Sequence, residues 1–192
     1  GARPLEWDQL FIATGSQPNR FGWPGQDLDG VGGMYSLQDL EALERWSPGL
    51  KSAAIVGGGL IGVELAEMLH SRGVHVSFLV REEAYWNNVL PQREAELVSD
   101  VIRAEGIDLR LGSELAEIVD DGAGRACAVV DGAGERLAVE FVGLTAGVRP
   151  SISVVAGSGI DCARGILVDR QLRTNHADVF AAGDCAEIVT DE

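Results

Sequence analysis

The chain has 192 residues, 46% of them hydrophobic, enough to bury one or two ordinary cores and neither low-complexity nor disordered in composition. A formal net charge of -15, with no basic stripe to reverse it locally, argues against nucleic acid as a partner. Three widely spaced cysteines without a CxxC suggest neither a disulfide framework nor a metal site, and the absence of a bilayer-length apolar run or a signal-like leader gives a cytoplasmic expectation with no membrane contact.

In chain order, residues 9–13 predict a strand that ends at Thr14-Gly15-Ser16 and gives way to a Pro- and Gly-rich surface connection through Asn19, Trp23, Pro24, Gly25 and Gly33. Ser36 caps a helix whose apolar positions are Leu37, Leu40, Leu43 and Trp46, and Ser47-Pro48-Gly49 ends it. A short apolar strand from Ser52 then runs into Gly57-x-Gly59-x-x-Gly62 and on into a helix, with a Gly73 stop and a second strand from His75 to Val80. Pro91 opens another helix with Leu97, Val98, Val101 and Ile102 on one face, closed by Gly106, and residues 107–111 form the next strand. Residues 115–119, 126–130 and 137–145, separated by Asp-Gly-Ala-Gly turns, predict a three-stranded antiparallel meander covering one face of a parallel sheet. Beyond Ser151 the chain is loop-rich, with strand-like runs at 165–169 and 179–184.

The glycine turn carries the chemistry. Gly57 permits a tight bend, Gly59 lets the backbone approach a pyrophosphate without an intervening Cβ, and Gly62 lets the helix pack on the strand. The phosphates sit on the N–H groups at the positive end of the helix, which makes the backbone of Gly57, Gly59, Leu60, Ile61 and Gly62 the candidate NAD(P) contacts. The fold class expected is α/β, a Rossmann-like parallel sheet with flanking helices and the meander, plus part of a second α/β domain.

Ala13-Thr14-Gly15, the turn from Gly57 to Glu64, the segment Thr145 to Pro150, and Thr174-x5-Phe180-Ala181-Ala182-Gly183-Asp184-Cys185-Ala186-Glu187 follow one another at plausible spacing. On these motifs the chain resembles the FAD-dependent pyridine nucleotide-disulfide oxidoreductase family over nearly its whole length. The resemblance implies that residues 1–48 and 151–192 are partial FAD-domain segments and that 49–150 form an NAD(P)-binding domain inserted between them. It implies FAD contacts at Thr14, Gly15, Gly183 and Asp184, an NAD(P) contact at Gly147, and a Glu64 close to the nicotinamide and flavin rings. An acid in a helix's first turn also suits the dipole, so both readings of Glu64 stand.

The activity implied is hydride transfer from NAD(P)H to flavin, with electrons passing to a disulfide, a redox protein, a quinone, oxygen or nitrite. The family's N-terminal FAD turn and C-terminal interface domain have no counterpart in this sequence, so it reads as a fragment of a longer flavoprotein, that parent a homodimer. FAD belongs to the full-length protein, and the fragment has little or no turnover. An acid at the end of the second strand marks NAD and a basic residue marks NADP. Arg81 stands at that register, with Glu82 one residue late, which favours NADPH slightly over NADH. Tyr85-Trp86 either stack on an adenine or pack against the next helix. No residue is assigned as a catalytic nucleophile, and Cys185 is read as a packing thiol. The competing function class is a non-catalytic nucleotide-sensing or scaffolding domain that retains the turn only as structure.

Overall fold

The computed structural model describes residues 3–189. In chain order its elements are β1 (Leu10–Ile12), β2 (Ser16–Pro18), β3 (Val31–Gly32), α1 (Leu37–Trp46), β4 (Ser52–Val56), α2 (Leu60–His70), β5 (His75–Val80), α3 (Gln92–Ala104), β6 (Asp108–Leu111), β7 (Leu115–Asp120), β8 (Ala126–Asp131), β9 (Arg136–Ala138), β10 (Phe141–Leu144), β11 (Val148–Pro150), β12 (Ile166–Val168), β13 (Val179–Ala181) and β14 (Ala186–Ile188). The described residues fall into two compact units, one of residues 3–17 with 148–189, the other of Pro18–Gly147.

The continuous unit is built on a parallel sheet in the order β3-β10-β4-β5-β6. Its central strands β4, β5 and β10 are mostly apolar because both faces are covered, the buried Ser77 being satisfied by Asp108. Alternate residues face opposite cores, so Ala53 and Ile55 join Leu43, Leu65, Phe78 and Ile102 under the helices. Ala54, Val56 and Leu79 meet Leu115, Ile118 and Val129 from the antiparallel sheet β7-β8-β9 on the other side. The α/β architecture with its antiparallel cover is thus the expected one.

Three local expectations are corrected. The apolar run 137–145 is not one meander strand: β9 ends at Ala138, the Glu140 N–H bonds the Ser52 carbonyl, and β10 enters the parallel sheet between β3 and β4. The run divides where alternation gives way to the fully buried stretch Phe141, Val142 and Gly143, the last with no room for a Cβ between Ile55 and Leu65. In α3, Leu97 and Val101 are exposed, and the inward stripe is Ala95, Val98, Ser99 and Ile102. Ser99 tolerates burial because its hydroxyl donates to the Ala95 carbonyl at 2.8 Å and accepts from the Tyr85 N–H at 3.1 Å. In α1 the Ser36 cap forms, closing a capping box with Asp39, but Leu37 and Leu40 face solvent while Leu43 is buried and Trp46 packs against Phe141.

The two-segment unit pairs β1 with β13 in parallel, β12 with β14 in parallel, and β2 with β11. Ile12, Ile166, Val168, Ala181 and Cys185 form its core. Cys185 is fully buried with its thiol against the Ala182 carbonyl, the packing role expected of it. Among the described residues, no helix is long and apolar enough to cross a membrane.

Candidate functional site

Strand β4 leads through α2 to β5 on one side, whereas its other neighbour is β10. The crevice outside the carboxyl ends of such strands is where open α/β sheets take ligands. A cavity of about 850 Å³ occupies that position, walled by Gly57, Gly58, Gly59 and Leu60 from the turn, Arg81 and Glu82 beyond β5, and Thr145, Ala146 and Gly147 beyond β10.

The glycines of the turn have different physical reasons. Gly57 has φ +115, and a Cβ there would lie 2.6 Å from the Thr145 carbonyl oxygen. A Cβ on Gly62 would strike the Gly57 carbonyl and come within 2.9 Å of the Thr145 hydroxyl. Gly58, overlooked in the motif, would press its Cβ to 2.8 Å from Val80 Cγ1. Gly59 alone of the four has nothing within 4 Å of a Cβ and an extended backbone at φ -86, ψ -178, so no intramolecular neighbour accounts for glycine there. It is also the N-cap of α2 and supplies no capping side chain. The first-turn N–H groups therefore face a backbone-lined opening, a cradle of the kind a pyrophosphate fits.

Side chains from three loops, following β10, β2 and β5, brace this cradle. Thr145, buried, donates its hydroxyl to the carbonyls of Val56 at 3.0 Å and Gly57 at 3.2 Å. Asn19 donates from Nδ2 to the Ala146 carbonyl at 3.2 Å and from its backbone to the Gly147 carbonyl at 3.0 Å, holding the loop beyond β10. The buried Tyr85 donates its hydroxyl to the Gly59 carbonyl at 3.3 Å. Burial pushes the Tyr85 phenol up to about 12, so it remains a donor through the neutral range. Because its unfolded value is about 10, its contribution to stability is complete below that pH and is lost as pH rises toward 12. Replacing Tyr85 by Phe is expected to flatten this alkaline limb in thermal melts across that window, and a limb of unchanged depth would show that another group causes it.

Beyond β5, Arg81 is an exposed side chain whose Nε donates to Glu82 Oε1 at 2.9 Å. That bond, with the Glu82 charge and a smaller effect from Glu114, raises the guanidinium above its ordinary value. Glu82 and Glu114 line the cavity together with Arg81, so this wall presents two carboxylates to one cation.

Of the residues singled out from sequence, Gly57, Gly59, Leu60, Arg81 and Gly147 lie on the cavity wall. Gly62 is buried behind the turn, Ile61 is half-buried and Glu64 is exposed on α2. The helix begins at Leu60, so Glu64 falls beyond the first turn and the dipole explanation for it lapses. Thr145, Tyr85 and Asn19 were not identified as supports. Phe21 and Trp23, in a stretch expected to be only a surface connection, also wall the cavity, and two aromatics in a Pro- and Gly-rich loop were the available signal.

In the other unit, the pairing of β1 with β13 sets Ile12 beside Ala181, so Thr14 and Gly15 emerge next to Gly183 and Asp184. The Asp184 carboxylate accepts from the Ser16 hydroxyl at 2.8 Å, and the Gly15 carbonyl accepts from the Ser151 N–H at 2.9 Å. Gly183, at φ +76, has nothing within 4 Å of a Cβ. The ensemble offers a carboxylate, a hydroxyl and an open backbone, groups that fit sugar-like hydroxyls.

The pyridine nucleotide-disulphide oxidoreductase family matches residues 1–191. The assimilatory nitrate reductase electron transfer subunit of Bacillus subtilis (strain 168) is 32% identical over 185 residues, 96% of this chain and 24% of that protein. The biphenyl dioxygenase system ferredoxin–NAD(+) reductase component of Paraburkholderia xenovorans (strain LB400) is 34% identical over 183 residues, 95% of this chain and 44% of that protein. A solved ferredoxin reductase from Rhodopseudomonas palustris matches with a TM-score of 0.90 at 28% identity, covering 96% of this chain and 45% of its own. The chain thus spans less than half the length of each of these relatives. With a glycine turn opening onto a crevice between parallel strands, and a family match running almost from end to end, this chain belongs to the pyridine nucleotide-disulphide oxidoreductase family.

Proposed function

We propose that Pro18–Gly147 binds the reduced nicotinamide dinucleotide of an FAD-dependent oxidoreductase, and that the electrons go on to a small redox protein. The observation that carries the reading is the open backbone at Gly59, set at an uncapped helix N-terminus inside the crevice. In this reading the N–H groups of Leu60, Ile61 and Gly62 hold the pyrophosphate, Glu82 accepts from the adenosine ribose, and the loop at Gly147 borders the nicotinamide half. Thr14, Gly15, Gly183 and Asp184 are assigned to hydroxyls of FAD, with Ser16 orienting the Asp184 carboxylate. The bound pair of cofactors supplies hydride transfer from nicotinamide to flavin. What the chain's residues supply is position: Thr145 and Tyr85 fix the turn, and the apolar wall of Phe21, Trp23 and Leu115 keeps water from that side of the crevice. The redox-protein acceptor is supported by the ferredoxin reductases among the relatives.

Between the two nucleotides, the paired Arg81 supports NADH rather than the NADPH favoured by register alone. A 2'-phosphate would meet one cation already engaged by Glu82 and a second carboxylate at Glu114. Calorimetric titration is expected to give NADH an advantage of about tenfold, the size of one charge-assisted contact. Glu82→Gln, which frees Arg81 and removes one negative charge, should erase or reverse that advantage. Tighter binding of NADPH by the wild type would overturn the preference, and binding of neither nucleotide would overturn the site.

A further inference from the structure

We infer that Trp86 is the platform on which the adenine of the dinucleotide stacks, an assignment that rests on the nucleotide site proposed above. Trp86 lies on the wall of the cavity that also contains Gly59 and Arg81. One side of its indole is covered by Tyr85, with ring centroids 5.4 Å apart and planes 15° from parallel. Tyr85 in turn holds the Gly59 carbonyl at 3.3 Å, so the platform and the phosphate turn are tied through one side chain. An aromatic face that is stiff before binding loses little freedom when a base is laid on it.

The backbone points the same way. Trp86 has φ +60, a left-handed conformation that costs a bulky residue roughly 1–2 kcal/mol. Its carbonyl accepts from the N–H groups of Val89 at 2.9 Å and Leu90 at 2.8 Å, which closes the turn around it. A turn needed only for connection would be cheaper with Gly or Asn at that position, and Asn87 and Asn88 stand directly beside it. Trp86 is half-buried: part of it packs on the core that Tyr85 joins, and the rest remains on the cavity wall. Leu115 and the exposed Val89 also line this cavity.

Sheet order decides which base this is. Trp86 follows β5, on the side of β4 opposite β10 and Gly147. The end of the second strand of such a unit is where the adenosine ribose lies. The half of the ligand that reaches Trp86 is therefore the adenine.

The test compares wild type, Trp86→Leu and Trp86→Phe by calorimetry with two halves of the cofactor, ADP-ribose and reduced nicotinamide mononucleotide. Trp86→Leu should weaken ADP-ribose at least about fivefold, the low end for loss of a base–aromatic stack. Reduced nicotinamide mononucleotide should bind unchanged, and Trp86→Phe should retain part of the ADP-ribose affinity. Equal ADP-ribose affinity in wild type and Trp86→Leu would overturn the assignment while leaving the nucleotide site intact, whereas no binding of either half by wild type would overturn both. Should Trp86→Leu lose its fold, photolabelling of wild type with a 2-azidoadenine dinucleotide decides. Label on the peptide containing Trp86 supports the platform, and label only on other peptides overturns it.

Discussion

Gly59→Val is expected to abolish the dinucleotide binding proposed for this crevice and to leave the fold standing. The backbone at Gly59, φ -86 and ψ -178, is one that valine adopts without strain, and nothing lies within 4 Å of the Cβ it would add. The fold pays only for the exchange of glycine for a poor N-cap residue, on the order of 1 kcal/mol, or ~2–4 °C in Tm for a chain of this size. The branched side chain would nevertheless stand in the opening over the first turn of α2, where a pyrophosphate must come within hydrogen-bond distance of the N–H groups. Losing that approach removes several charge-assisted bonds at once, so affinity should fall by more than about a hundredfold. Calorimetry with NADH and a thermal melt on the same sample read the two halves of the statement. Undiminished binding would remove the turn from the site and favour the alternative in which it serves only as structure.

How much of this was legible in the sequence depends on whether chemistry or packing chose the residue. The turn from Gly57 to Gly62 was legible as a strand–turn–helix unit because its close backbone contacts demand glycine at fixed spacing, and the strand and helix around it have the two periodicities such a unit requires. The inward face of α3 was not, because Leu97 and Val101 are more apolar than Ala95 and Ser99, which actually face the core. Small residues there allow close approach of helix and sheet, and hydropathy ranks them last. The pairing of Arg81 with Glu82 was hidden for another reason: register places two neighbours at a strand end but says nothing of their rotamers. Thr145 stood within a motif read from sequence, yet its service to the Val56 and Gly57 carbonyls is a contact across 88 and 89 residues that no local pattern records. Residues 19–23 were read as a connection because prolines and glycines mark loops, and that reading is correct for their backbone, though it missed the short strand β2 just before them and is silent about Asn19, Phe21 and Trp23 as walls.

Gly62→Ala is the counterpart of the valine substitution and should fail in the opposite way. In an unobstructed helix the change would stabilise by about 1 kcal/mol, since alanine is the better helix former. Gly62 is buried at the start of α2, and its conformation is ordinary; the obstacle is space. The added Cβ would strike the Gly57 carbonyl oxygen and approach Thr145 Oγ1 to 2.9 Å and Phe78 Cε2 to 3.1 Å. Two of these three neighbours cannot yield independently, because Thr145 Oγ1 is hydrogen-bonded to the Gly57 carbonyl at 3.2 Å and the peptide carrying that carbonyl lies against β10. Relief therefore requires α2 to lift from the sheet, separating Leu65 and Leu69 from the core they share with Ile55 and Phe78. Overpacking of this kind costs roughly 1–3 kcal/mol and sometimes more, enough to outweigh the propensity gain and lower Tm by ~2–10 °C. Binding should weaken as well, since the N–H groups of the first turn move with the helix. The pair of variants separates the two uses of glycine in one turn: under the proposed function the ligand needs the space at position 59, and at position 62 the protein does. A Gly62→Ala protein that melts above wild type would show that α2 does not pack on the sheet at this distance, and the geometry of the cradle would have to be drawn again.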